Sequence, residues 1–391
     1  MRVVVLGGGY GGLRAVEKLA DHADIELTLV DANTYHFLQT EVYGYIAGTK
    51  EIDELAVDLQ SWCRGFKRPV RFVQKEVTGL DTGNRRVLLG DKTLPYDILI
   101  VATGARTRFP AFIEGLREHS FGVKQLRRAF GFRHRFEEEV AKKLEGEDGR
   151  VRIVVAGAGL SGVEVAAEMA YMLGRYAKTL GRKKEELEVI LVDACGTILP
   201  GMHPKIVEAA GKRLRKLGVV VKTGAFIERV EATRIHFKNG ETLPYTFMIF
   251  TGGIVANTAF VADTFATNTQ EQLTVDATLN LPGHPEIYAI GDCADIRDLK
   301  GRPLPPTAQL AEKSAEYAAS AILARSRKRS PAPFVGRMDG MFIALGGRYG
   351  AAEIFGFRFH GLIAYYLKRL VTLIYFLGIH LRANTAYKIR T

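Results

Sequence analysis

The chain carries one strand, glycine-turn and helix pattern twice, as VVVLGGGYGG at residues 3–12 and as VVAGAGLSGVE at 154–164. Gly7, Gly9 and Gly12 follow a β-branched run and precede LRAVEKLAD, a helical stretch; ELTLVD (26–31) is then an apolar strand ending on Asp31. Gly157, Gly159 and Gly162 stand in the same place ahead of VEVAAEMAYML, and EVILVD (188–193) ends on Asp193. The first glycine of such a turn permits the tight bend, the second lets a pyrophosphate approach the backbone, and the third lets the helix pack on the strand. The helix N-terminus attracts the anion. One nucleotide needs one such turn. Two turns a domain length apart predict an α/β chain of two Rossmann-like dinucleotide-binding domains.

Each repeat is followed by an apolar strand that runs into small residues, YDILIVATGA (96–105) and YTFMIFTGGIVAN (245–257), and these read as crossings between domains. The expected division is therefore 1–112 with 255–330 as one nucleotide domain, 113–254 as the second, and 331–391 as a C-terminal segment. Residues 120–145 read as a surface helix whose arginines face water. Asp31 is placed to accept ribose hydroxyls in the first turn. Asp193 favours a free 2′-hydroxyl over a 2′-phosphate in the second, hence NADH over NADPH. Glu164, on the first helical turn after Gly162, reads equally as favourable dipole chemistry or as a group near the nicotinamide. The stretch IYAIGDCAD places Asp292 in a glycine turn, and PPTAQLAEKSAE starts a helix near Thr307 whose free N–H groups point at whatever lies in front; if that is a flavin, the helix end would stabilise its anionic reduced ring.

Charge narrows the partners. The formal net charge is +11, and residues 354–391 hold no Asp or Glu but carry Arg358, Lys368, Arg369, Arg382, Lys388 and Arg390. In the same segment Leu362, Ile363, Tyr366, Leu367, Leu370, Val371, Leu373, Ile374, Leu377 and Leu381 fall on one broad helical face, with Lys368, Arg369, Thr372 and Arg382 opposite and Phe376 and Ile379 spoiling the polar side. Lys368 and Arg369 near the centre argue against crossing the bilayer. A helix lying in the interface of an anionic membrane is expected instead, and nucleic acid is not. Only Cys63, Cys195 and Cys293 occur, widely spaced, so neither a disulfide framework, a zinc site nor a redox pair is indicated; all three read as structural and the compartment as reducing. The strand that begins at Arg2 leaves no room for a leader peptide.

These motifs occur in a recognisable order. LGGGYGG, AGAGLSGVE, VDACGTILPG, FTGGIVAN, IGDCAD, PPTAQ and LGGRYGAAEIFGFRFHGLIAYYLKRL together resemble the type II NADH dehydrogenases, single-subunit NADH:quinone oxidoreductases among the two-dinucleotide-binding-domain flavoproteins, over essentially the whole chain. The resemblance implies FAD in the first domain, NADH in the second, a membrane quinone, a glutathione-reductase-like fold and monotopic attachment to the cytoplasmic face of the cell membrane, with a homodimer possible. By matching position, Gly9, Tyr10, Gly11, Gly12, Leu13, Asp31, Ala32, Asn33, Val77, Asp292, Ala308, Gln309 and Lys368 would touch FAD. Glu164 would be the functional glutamate beside nicotinamide and flavin, and Gln309 with Lys313 would meet the quinone. The chain departs from the family at AQLAEKSA, where Lys313 and Ser314 stand in place of a second glutamine. No metal is implied. The rivals are a sulfide:quinone oxidoreductase, which would need two cysteines flanking the flavin, a soluble ferredoxin or rubredoxin reductase, which has no use for the lipophilic helix, and an NADH-responsive flavin-binding signalling protein.

Overall fold

The structure, a computed structural model, describes residues 1–145, 150–179, 181 and 186–388. Arg390 of the basic tail lies outside them.

Two sheets carry the molecule. The first has six strands in the order Asn280–Leu281, His284–Ala289, Ile98–Val101, Arg2–Leu6, Glu26–Asp31 and Arg71–Gln74. Its central strand pairs in parallel with two neighbours, Val3 lying opposite Leu27 on one side and Ile98 on the other. Val3, Val4, Val5 and Leu6 are all buried, because a parallel sheet is covered on both faces and its strands read as unbroken apolar runs. The second sheet has five strands in the order Phe121–Gly122, Phe247–Phe250, Val151–Ala156, Leu187–Val192 and Val220–Lys222. Here too the glycine turn leaves the central strand.

The duplication extends beyond the motifs visible in the sequence. Before its return strand each sheet sends out a three-stranded antiparallel meander, Gly79–Asp81, Arg86–Leu89 and Lys92–Pro95 in the first, Ile227–Val230, Arg234–Phe237 and Thr242–Pro244 in the second. Ala105–Thr107 and Ile254–Ala256 pair as an antiparallel ribbon where the chain passes between the sheets.

The helix Leu126–Glu145 differs from its expected role. Leu126, Ala129, Phe132, Phe136 and Val140 are buried on the second core. Arg133 does not face water: its guanidinium bonds Glu51 at 2.9 Å, Glu137 at 2.9 Å and the Lys50 carbonyl at 2.9 Å, and lies over the Tyr45 ring. It clamps this helix to the loop after residue 46.

The C-terminal segment folds as an antiparallel sheet, Gly340–Ala344, Gly350–Ile354 and Phe357–Gly361, running directly into one helix, Leu362–Lys388. All ten residues of the predicted apolar stripe are exposed, Ile363 at 67% and Ile374 at 64%. Ala364, Ile379 and Ala383 are buried and Phe376 packs on the first core. Phe376 and Ile379 therefore do not spoil a polar side; that side is the docked one, and its apolar members hold the helix to the protein. Residues Leu362–Ala383 are long and apolar enough to cross a membrane, but the protein covers one flank along the helix's length. A helix so docked cannot be surrounded by lipid, and its exposed stripe suits the plane of an interface. Phe355 and Phe357, at the tip of the adjoining hairpin, extend the apolar surface with 70% and 76% exposure.

Candidate active site

The two glycine turns are built alike. Gly7 and Gly157 adopt φ of +105° and +112°, which an L side chain rarely tolerates. A Cβ on Gly12 would stand 1.8 Å from the Gly7 carbonyl oxygen, and one on Gly162 would stand 1.7 Å from that of Gly157. The middle glycines differ: nothing lies within 4 Å of a Cβ built on Gly9 or Gly159. Each therefore opens a backbone cradle at a helix N-terminus, and no side chain caps the first helix. The residues present fit a dinucleotide in both places.

Asp31 and Asp193 have parallel roles that the sequence reading gave only in part. Asp31 accepts from the Gly8 N–H at 2.6 Å and from the Asn33 N–H at 2.7 Å; Asp193 accepts from the Ala158 N–H and from the Cys195 N–H at 2.6 Å. Both acids tie the end of the second strand to the turn, leaving their remaining lone pairs for a ribose. Burial pushes the Asp31 carboxyl up, and its N–H donors oppose this. Leu13 is buried beneath the first turn, Ala32 is exposed and Val77 packs on the rim of the first core.

Thr307 caps the helix Ala308–Ser326 by accepting from the Leu310 N–H at 3.2 Å. The helix packs against the first one, where a Cβ on Gly11 would meet the Ala311 carbonyl oxygen at 3.2 Å. Ser314 is buried and accepts from the Gly291 N–H at 3.1 Å, fixing the turn that carries Asp292, whose carboxylate faces Lys124 at 3.6 Å. The two residues expected at the quinone are both engaged by the segment that follows the helix. Gln309 accepts the Asp339 N–H at 3.0 Å, while Lys313 pairs with Asp339 at 2.7 Å and donates to the Arg337 carbonyl at 2.6 Å. Both pin the strap that leads into the C-terminal sheet, so the Lys313 cation is neutralised.

Beside this region three carboxylates and two lysines converge. Glu164 accepts from Lys368 Nζ and from the Ala344 N–H at 2.9 Å. Glu41 binds Lys50 and accepts from Thr372 Oγ1 at 3.0 Å. Glu168 accepts from Thr49 Oγ1 at 3.0 Å and from the Gly347 N–H at 3.3 Å. Lys368 also lies 4.6 Å from the Tyr43 ring centre. Burial pushes Glu164 up, and Lys368 with the Ala344 N–H opposes it. Burial would raise Glu41 too, but Lys368 and Lys50 outweigh it and hold it below the usual carboxylate range. The sequence pointed to Glu164 by its place after the glycine turn and to Lys368 through resemblance; Glu41, Tyr43, Lys50 and Glu168 carry no local motif and were missed.

Residues 1–315 match the family described as pyridine nucleotide-disulphide oxidoreductase. The chain belongs to that family. Among its relatives, the type II NADH:quinone oxidoreductase of Staphylococcus epidermidis is 29% identical over 388 residues, covering 95% of this chain and 94% of the relative. The NDH2 protein of Plasmodium falciparum, solved in complex with NADH, superposes with a TM-score of 0.87 at 19% identity, over 99% of this chain and 97% of that one. The sulfide:quinone oxidoreductase of Aquifex aeolicus gives 0.83 at 17% identity, over 97% and 92%. These two likenesses show the fold. As a member of the pyridine nucleotide-disulphide oxidoreductases the chain binds NAD(H) and a flavin, yet its cysteines form no redox pair. Cys293 is buried with its S–H directed at the Ile290 and Val101 carbonyls, Cys63 is buried elsewhere, and Cys195 is exposed, contrary to a structural reading of it.

Proposed function

We propose that this chain is a membrane-associated type II NADH:quinone oxidoreductase, with FAD on the Gly7–Gly12 turn, NADH on the Gly157–Gly162 turn and a membrane quinone approaching from the terminal helix. The observation that carries the reading is the part-buried Lys368–Glu164 pair, which ties the lipophilic helix to the first turn of the nucleotide-binding helix. Whole-length similarity to the staphylococcal enzymes supports it. In this arrangement residues 1–112 with 255–330 hold FAD, 113–254 hold NADH and 331–391 attach to the cytoplasmic face of the membrane. Nothing observed favours the homodimer.

When bound, the flavin supplies hydride acceptance from NADH and two-electron delivery to quinone. The chain supplies the rest. Gly9, Tyr10, Gly11, Gly12, Leu13, Asp31, Ala32, Asn33, Val77, Asp292, Ala308, Gln309 and Lys368 would hold the FAD, and the helix beginning at Ala308 would present its N-terminal N–H groups to it. Burial pushes Glu164 up and Lys368 opposes it; the pair would stand beside the nicotinamide, where Glu164 would help to orient the ring.

Stopped-flow mixing tests the assignment. NADH should bleach the yellow protein rapidly and a quinone should restore the colour, with no reduction by sulfide, since no cysteine pair stands beside the flavin. Bleaching by sulfide and not by NADH would replace this reading with that of the sulfide enzyme. The membrane part has its own test. Leu370→Glu with Ile374→Glu places two charges on the exposed stripe, where each apolar side chain contributes about 1.5–3 kcal/mol when buried. Binding to anionic vesicles should weaken at least about tenfold, while NADH oxidation by a water-soluble quinone is retained. Unchanged vesicle binding would place the attachment elsewhere.

A further inference from the structure

We propose that Glu312 is the acid that protonates the quinone, in the wedge between the first helix, the helix Ala308–Ser326 and the terminal helix. This rests on the NADH:quinone reading and names the proton donor within it.

Glu312 lies one helical turn beyond Gln309. Its carboxyl is half-buried and, among the described residues, makes no hydrogen bond or ion pair; its neighbours act on it only through charge and burial. Arg14 and Glu17 of the first helix and Glu316 of its own act on it through charge, and it acts in turn on Tyr10 and on Tyr375 of the terminal helix. Arg14 is already committed, to Glu316 at 2.8 Å and Glu17 at 3.1 Å, and Lys18 stands 3.6 Å from Glu316. Of the three acids in this corner, Glu312 is the one left without a bound cation. Lys313, next in sequence, is held by Asp339.

The opposite wall is aromatic and neutral. The Tyr10 and Tyr375 rings lie 5.0 Å apart, and His36 meets Tyr10 edge-on at 5.2 Å. His36 Nδ1 stands 2.9 Å from the Gly8 carbonyl, which can only accept, so Nδ1 carries the proton. Burial lowers His36 to about 4, so the ring is neutral and its Nε2 accepts from the Tyr375 hydroxyl at 3.1 Å. Tyr10 is fixed by a 2.9 Å bond to Thr40 Oγ1. These rings hold no mobile proton at neutral pH, and their aromatic character suits a planar aromatic headgroup beside them. Burial, with Glu17 and Glu316 adding to it and Arg14 opposing, raises Glu312 to about 7. An acid of that strength is matched to the pH at which it must both release and regain a proton.

The balance closes. A quinone becoming a quinol takes two electrons and two protons. The hydride equivalent that leaves NADH accounts for both electrons and one proton. The second comes from the Glu312 O–H bond, which breaks as a quinol O–H bond forms, and the carboxylate is reprotonated from solvent.

The flavin-loaded Glu312→Gln protein should be bleached by NADH at the wild-type rate. Its reoxidation by a short-chain quinone should be about a hundredfold slower at pH 6 and flat with pH, whereas the wild-type rate falls about tenfold per unit above pH 7. Ferricyanide takes electrons and no proton, so it should reoxidise both proteins equally. Glu312→Asp should restore a pH-dependent quinone rate. A Glu312→Gln protein with the wild-type quinone profile, or one slowed equally with ferricyanide, would overturn the proposal. A wild-type protein not bleached by NADH would remove the reading beneath it instead.

Discussion

Replacing Gly162 with alanine is expected to give a yellow protein that NADH bleaches only at far higher concentration. The new Cβ would stand 1.7 Å from the Gly157 carbonyl oxygen and 2.7 Å from Thr251 Oγ1. Neither can yield cheaply, because Thr251 Oγ1 donates to that same carbonyl at 2.9 Å and Gly157 is pinned at φ +112° against the backbone of Thr251 and Gly252. The turn must open. Overpacking of this kind costs about 1–3 kcal/mol in stability, a tolerable loss for a domain of this size. The amides that would hold a pyrophosphate are displaced at the same time, so the KM for NADH should rise at least about a hundredfold. Gly12→Ala makes the equivalent collision with Gly7, at 1.8 Å, and should purify colourless. Absorbance in the flavin band and stopped-flow reduction distinguish the variants. If Gly162→Ala lost its colour while Gly12→Ala kept its own, the two nucleotides would have to be exchanged between the turns.

How far the sequence could be read follows from how local each contact is. The glycine turns were legible because their chemistry closes within a few dozen residues: Asp31 reaches Gly8 across 23 positions and Asp193 reaches Ala158 across 35. The terminal stripe was legible because a helix repeats its exposed face every turn. Its opposite face was misread, since Ile379 counts as a blemish until the first core is seen to receive it. The junction was out of reach. Lys368 meets Glu164 across 204 residues, Thr372 meets Glu41 across 331 and Tyr375 meets His36 across 339. No local pattern announces such pairs. The partners of Arg133 and Lys313 were out of reach for the same reason, each being a cation whose carboxylate is supplied by another element.

That junction sets the second large effect. Lys368→Met should lower stability by about 3 kcal/mol near pH 8, because removing one partner of a pair only 13% exposed strands the other charge. Glu164 keeps the Ala344 N–H, but the like-charged Glu41 still acts on it. Its only relief is to bind a proton. Burial already raises Glu164 above its ordinary value with the lysine present, and the loss of Lys368 raises it further. A carboxyl whose pKa is higher folded than unfolded contributes stability below the unfolded value and loses it as pH rises through the folded one. The deficit in Tm relative to wild type should therefore be small near pH 5 and widen toward pH 8. Glu164→Gln added to Lys368→Met removes the stranded charge, so the double variant should recover part of the loss and show little of this pH dependence. Thermal melts of the three proteins across that range decide the matter. A Lys368→Met protein that melts with wild type at pH 8 would mean that solvent already reaches Glu164, and that the terminal helix is held by its apolar face alone.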